Sequence, residues 1–225
     1  MKSPARDTTA YGFPIGFTKI DNREGKYKEW GAPWPLVVFT RGEGKHVNRV
    51  WPLFSQARNA SQSTGWYLWP IYKYNRRHIA PSDRERTRIL FFLFSHNSEK
   101  NEETGQFLRR TDLWPLFTAR RDMDGNQRLQ ILSVLEPFLP NNKSIERNYS
   151  PLWSLWRYEK NAKTGATSQS LLWNLYRREA APETKKYSLL FGLYQYQSDP
   201  EGKRWRLFYV PVGKAKNPVS KQAKR

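Results

Sequence analysis

A chain of 225 residues with 39 Lys and Arg against 20 Asp and Glu carries a net charge of +19, enough for a field several kT deep over parts of its surface. The absence of Cys excludes disulfide stapling, thiolate zinc sites and cysteine nucleophiles. No run approaches about 18 apolar residues, which excludes a transmembrane helix.

In chain order, residues 1–10 are polar and expected to be loose. They lack the apolar run of a secretory signal, which implies either an internal protein or a mature or excised segment. From residue 11 to 212 one four-residue pattern recurs. It begins with Phe13-Pro14-Ile15-Gly16, Trp34-Pro35-Leu36-Val37, Trp51-Pro52-Leu53-Phe54, Trp69-Pro70-Ile71-Tyr72, Phe91-Phe92-Leu93-Phe94 and Trp114-Pro115-Leu116-Phe117. More worn copies follow at Glu136-Pro137-Phe138-Leu139, Trp153-Ser154-Leu155-Trp156, Trp173-Asn174-Leu175-Tyr176, Phe191-Gly192-Leu193-Tyr194 and Trp205-Arg206-Leu207-Phe208. Seven of the ten Trp occupy the first position, so the repeat is the organising feature and argues for one continuous body.

Six copies carry Pro second, which in a helix interior would cost about 3 kcal/mol each time. The chain is therefore expected to be extended at each tetrad. Alternation then places the first and third residues on one face and the second and fourth on the other. On this reading each tetrad is the centre of a strand covered on both sides. The Pro belt is expected either to mark a kink line that curls the sheet or to mark the start of each strand, where a missing N–H is tolerated.

Polar connections separate the tetrads, at residues 60–65, 78–84, 97–105, 122–126, 141–148, 161–167, 180–186 and 198–203. Connections this short favour antiparallel neighbours, and Asp124-Gly125 is the clearest hairpin dipeptide. The predicted fold is all-β, an antiparallel meander of about ten strands, curled or closed into a barrel. Residues 213–225 are Lys-rich and acid-free and read as a disordered basic tail.

The tetrads with their Arg- and Asp-bearing turns resemble those of uncharacterised envelope proteins of Gram-negative bacteria that repeat Trp-Pro-Leu-Phe. The resemblance spans roughly residues 13–208 and implies an outer-membrane or periplasmic β-repeat protein. It hands over no catalytic residues, and the present chain departs from it in its missing signal segment and strong positive charge.

Searching for chemistry yields little. His46, His78 and His96 each stand alone in sequence, and most acids fall in connections where solubility explains them. Glu136 takes the place of a tetrad Trp and is expected to be exposed at a strand end. No phosphate loop, nucleophile elbow or metal-ligand spacing occurs, so a non-enzymatic protein without cofactor is expected. The candidate anion-binding residues are the basic doublets Arg76-Arg77, Arg109-Arg110, Arg120-Arg121, Arg177-Arg178 and Lys185-Lys186. Aligned across strands, they would form a rim able to hold phosphates bidentately. The expected role is structural or interactive, with that rim contacting anionic lipid head groups or a larger protein assembly. The alternative is a soluble binder of nucleic acid or acidic glycan, with aromatics stacking bases.

Overall fold

The computed structural model describes residues 4–12, 15–138 and 154–212. The predicted tail at 213–225 and parts of the tetrads at 13–16, 136–139 and 153–156 lie outside that range. The first of two compact units, Met1–Leu113, holds β1 (Arg6–Tyr11), β2 (Gly16–Asn22), β3 (Tyr27–Trp34), β4 (Val37–Gly42), β5 (His46–Val50), β6 (Phe54–Arg58), β7 (Gln62–Tyr67), β8 (Tyr72–Ile79), β9 (Ser82–Ile89), β10 (Phe94–Asn101) and β11 (Phe107–Leu113). The second, Trp114–Arg225, holds β12 (Phe117–Arg121), β13 (Gln127–Ile131), β14 (Trp156–Lys160), β15 (Thr167–Leu171), β16 (Tyr176–Ala180), β17 (Lys185–Leu189), β18 (Tyr194–Asp199), β19 (Gly202–Leu207) and β20 (Val210–Val212).

All twenty strands are assigned to one sheet. Within each unit every strand pairs antiparallel with its neighbours in sequence, as the polar connections imply. The expected barrel is not formed. Among the described residues β1 pairs only with β2, and β20 only with β19, so the sheet keeps two free edges there. Strand β20 is three residues long and carries Pro211, two features that blunt an edge against further pairing.

The expectation of about ten strands fails for one reason: most of the described tetrads centre on turns, not on strands, the copy at 205–208 being the exception with Trp205, Arg206 and Leu207 inside β19. Trp51, Pro52 and Leu53 form the connection between β5 and β6, and Phe54 opens β6. Trp69-Pro70-Ile71 likewise joins β7 to β8, and Phe91-Phe92-Leu93 joins β9 to β10. A period of about nineteen residues is therefore a whole hairpin, two strands of five to eight residues with one apolar and one polar turn.

Two local geometries serve the same turn. In the Pro copies the bonds Trp34-Pro35, Trp51-Pro52, Trp69-Pro70 and Trp114-Pro115 are cis, and a cis Pro at the third position defines a type VI turn. The Pro N–H that a ladder would miss is not needed there. In the copies without Pro, bulky residues take left-handed backbone instead: Leu90 and Phe91 (φ 48° and 62°), Leu172 and Trp173 (46° and 52°), Leu190 and Phe191 (51° and 57°). Such conformations are uncommon for large side chains and cost of order 1 kcal/mol or more each.

The predicted hairpin at Asp124-Gly125 is present between β12 and β13. Gly125, at φ 84°, donates its N–H to the Asp122 carbonyl at 3.0 Å. Little is sealed from water: among the described apolar side chains only Ile20, Val38 and Val47 are buried.

Candidate functional site

In an antiparallel meander successive connections fall on alternate borders of the sheet. Because apolar and polar turns alternate along this chain, each unit gathers its apolar turns on one border and its polar turns on the other. In the first unit the apolar border comprises the turns after β1, β3, β5, β7 and β9. In the second it comprises, among the described residues, the turn leading into β12, residues 132–138 that follow β13, and the turns after β15, β17 and β19.

These turns are solvent-facing. Leu53 is 54% exposed, Trp69 49%, Phe91 59%, Phe191 61% and Phe208 66%. Contiguous apolar exposure on this scale marks an interaction surface. Part of the backbone beneath it is nonetheless engaged internally. Carbonyls of third-position residues accept from the next turn along the border, Leu36 from Trp51 N–H at 2.9 Å, Leu53 from Leu68 at 2.6 Å and Ile71 from Leu90 at 2.7 Å. In the second unit Leu116 accepts from Leu132, Leu155 from Leu172, Leu175 from Leu190 and Leu193 from Phe208, each at 2.7 Å. Bonds within turns, such as Ile71 N–H to Leu68 carbonyl at 2.7 Å, add to these. A border with part of its polar backbone engaged internally can enter an apolar phase at reduced cost.

Cross-strand register extends this border onto one face of the sheet. In the first unit the fourth tetrad residues Val37, Phe54, Tyr72 and Phe94 open strands and align with the strand-closing Val50, Tyr67, Ile89 and Leu113. The second unit repeats this with Phe117, Ile131, Trp156, Leu171, Tyr176, Leu189, Tyr194, Leu207 and Val210. Behind that row, on the same face, Arg178 lies 5.6 Å over the Tyr187 ring, and Tyr187, Tyr196 and Trp205 follow with ring centroids 6.0 and 4.3 Å apart.

The other face is polar. Its residues next to the border include Arg49, Lys73 and Arg88 in the first unit and Arg157, Arg177 and Arg206 in the second. Each unit thus presents an apolar border with cations immediately behind it.

The basic doublets sit inside strands, so alternation sends their members to opposite faces. Arg77, Arg110, Arg120, Arg177 and Lys186 share the polar face, while Arg76, Arg109, Arg121, Arg178 and Lys185 share the aromatic one. Several are already engaged: Arg76 with Asp83 at 2.7 and 3.1 Å, Arg110 with Asp112 at 3.0 Å and Arg177 with Glu179 at 2.5 Å. The Arg76 bond holds the Asp83 carboxyl below its ordinary value, and the Arg84 bond does the same for Glu99.

Glu136 is not exposed at a strand end. It is 6% exposed in a short 3-10 turn, Glu136–Phe138, and lies 3.9 Å from the Arg128 guanidinium. Nearby, Glu159 accepts from Arg128 at 2.6 Å and Arg157 at 2.5 Å. Burial alone would raise its pKa, but Arg157 and Arg128 together keep it lowered. His78, solitary in sequence, meets Asp83 and Glu102 with ligand atoms within 4.8 Å. The Asp83 carboxylate is committed to Arg76, so no role is built on that cluster.

No family model and no curated protein matches the sequence. Among solved structures, the chain is similar to the TCP10 domain of Danio rerio CPAP, determined in complex with a peptide of Danio rerio STIL. The match has 11% identity, covers 92% of this chain and 97% of that one, and has a TM-score of 0.31. What fold and site define by themselves is a class: an open antiparallel meander with one apolar and one polar border in each unit.

Proposed function

We propose that the protein is a non-catalytic docking module that settles on an anionic membrane surface, in the cell envelope, by immersing its apolar turns to the depth of the lipid head groups. The observation that carries this reading is the order of chemistry along each strand pair. Exposed Trp, Leu and Phe form the tip, part of the backbone in the tip is internally bonded, and Arg and Lys stand one row behind. Trp and Tyr favour membrane interfaces, and each basic residue near an anionic leaflet adds about 1 kcal/mol. A net charge of +19 supplies long-range attraction.

Co-sedimentation with vesicles tests the proposal. Vesicles containing an anionic phospholipid should retain the protein, with affinity reduced but not abolished at high salt because the apolar contribution is unscreened. Failure to bind anionic vesicles at low salt contradicts the reading. The aromatic strip of Arg178, Tyr187, Tyr196 and Trp205 favours a second reading, a binder of single-stranded nucleic acid. That reading requires oligonucleotide affinity that falls steeply with salt and is lost in Trp205→Ala.

A further inference from the structure

On the polar face of β16, β17, β18 and β19, cross-strand register builds a grid of eight side chains in two rows. The row nearer the apolar border reads Arg177, Ser188, Gln195 and Arg206, and the row behind it reads Glu179, Lys186, Gln197 and Arg204. These residues line a shallow cavity of about 220 Å³, larger than a phosphate group. Two of the four cations are committed, Arg177 to Glu179 at 2.5 Å and Arg204 to Glu201 at 2.6 Å. Lys186 and Arg206 make no ion pair among the described residues. They stand two strands and one row apart, about 12 Å, with Gln195 and Gln197 on the strand between them.

The neutral groups are oriented as well. Gln195 donates its Nε2 to the Gly192 carbonyl at 3.0 Å, and Gln197 donates to Asp199 at 3.0 Å. Their positions along the floor are thereby held. The strands that carry Ser188 and Arg206 run within two residues into the turns bearing Leu190 and Phe191, and Phe208 and Tyr209. Those turn residues are among the more exposed apolar groups on the border. At about 3.4 Å per strand residue, Arg206 lies roughly 7 Å behind Phe208 and Lys186 roughly 14 Å behind Leu190, so the groove stands directly behind the apolar tip.

We propose that this groove binds the phosphate of an anionic phospholipid, with Lys186 and Arg206 as its two charged contacts and the lipid chains meeting the Leu190–Gly192 and Phe208 turns. The proposal rests on the membrane reading and gives it a particular lipid-binding position. Two uncommitted cationic donors suit a phosphate with free non-bridging oxygens. The ligand is lipid-borne, because the apolar tip supplies part of the binding.

The test uses the full chain and vesicles of phosphatidylcholine with phosphatidic acid. Two double variants remove the same charge from the same two strands. Lys186→Gln with Arg206→Gln empties the groove, while Lys185→Gln with Lys203→Gln acts on the opposite face, since Lys185 and Lys203 flank Ser198 there. The vesicles are held at about 0.01 M ionic strength, where the Debye length of about 30 Å exceeds the distance of all four residues from the apolar tip, so general attraction would weaken the two variants alike. The expected result is a loss of affinity at least about tenfold greater for the groove variant, with unchanged circular dichroism in both. Equal losses overturn the groove and leave the membrane reading standing. If the wild type binds no anionic vesicle, the membrane reading itself has failed. A third arm adds soluble glycerol 3-phosphate to the wild type without lipid. Binding as tight as to vesicles would overturn the lipid source, and weak or undetectable binding supports it.

Discussion

The two borders of the sheet close the same kind of hairpin with opposite chemistry. On the polar border the turns after β10 and β14 share the pattern Asn-x-x-Thr-Gly, at Asn101 to Gly105 and Asn161 to Gly165. The Asn101 side-chain oxygen accepts from Glu103 and Thr104 N–H, both at 3.0 Å, and Asn161 accepts from Lys163 and Thr164 at 2.9 and 3.0 Å. Gly105 and Gly165 take the left-handed position at φ 68° and 66°, where glycine pays no steric cost. These turns are built for stability. On the apolar border Phe91 and Phe191 hold the left-handed position with bulky, exposed rings, a choice that local stability does not explain. Side chains that cost backbone energy and gain only partial burial point to a use outside the chain.

The largest expected effect separates those two roles. Asn tolerates left-handed backbone far better than Phe, so Phe91→Asn with Phe191→Asn should leave stability equal or slightly higher. Docking should suffer, since each half-exposed ring contributes about 1 kcal/mol on immersion, and the pair about thirtyfold in vesicle affinity. Equal affinity with raised stability would break the comparison.

Next in size is Glu159→Gln. It removes the charged acceptor that Arg128 and Arg157, the latter 7% exposed, share and should lower the second unit's unfolding free energy by about 2 kcal/mol in urea titrations. On the polar border, Asn101→Ala and Asn161→Ala should each cost about 1 kcal/mol with no change in vesicle binding. A docking defect there would erase the distinction between borders.

The smallest effect concerns pH. Asp83, Glu99 and Glu159 have pKa values lowered by folding, from ordinary values of 3.8, 4.5 and 4.5. Their contribution is complete above those values and is lost as pH falls through the depressed ones. Thermal melts should therefore decline below about pH 4.5 and stay level between neutrality and that point on this account.

Much of the architecture was legible in residues. Pro second in the tetrads excluded helix, short polar connections implied an antiparallel meander, and Asp124-Gly125 marked a real hairpin. Strand number was not legible, because Trp51-Pro52-Leu53 is as apolar as a strand interior, and five-residue strands on either side complete the appearance of one long strand. The available signal was the aromatic-Pro dipeptide itself, which suits a cis-Pro turn, together with polar connections that recur once per hairpin. The cationic doublets were visible as charge, but their division between faces follows from register, which pairs Arg178 with Tyr187 and Arg177 with Ser188. Glu136 failed as an exposed residue because its partner, Arg128, lies on β13 and sequence distance gives no sign of their meeting.

The chain's lack of Cys makes one measurement decisive for the border. A single cysteine at Leu53→Cys, on an apolar turn, and in a separate protein at Glu103→Cys, on a polar turn, would each carry a polarity-sensitive fluorophore. With anionic vesicles the label at 53 should shift to the blue and be quenched by lipids bearing nitroxide in the upper acyl chain, while the label at 103 stays as in water. Matching responses at the two positions, or a response at 103 alone, would contradict docking through the apolar turns.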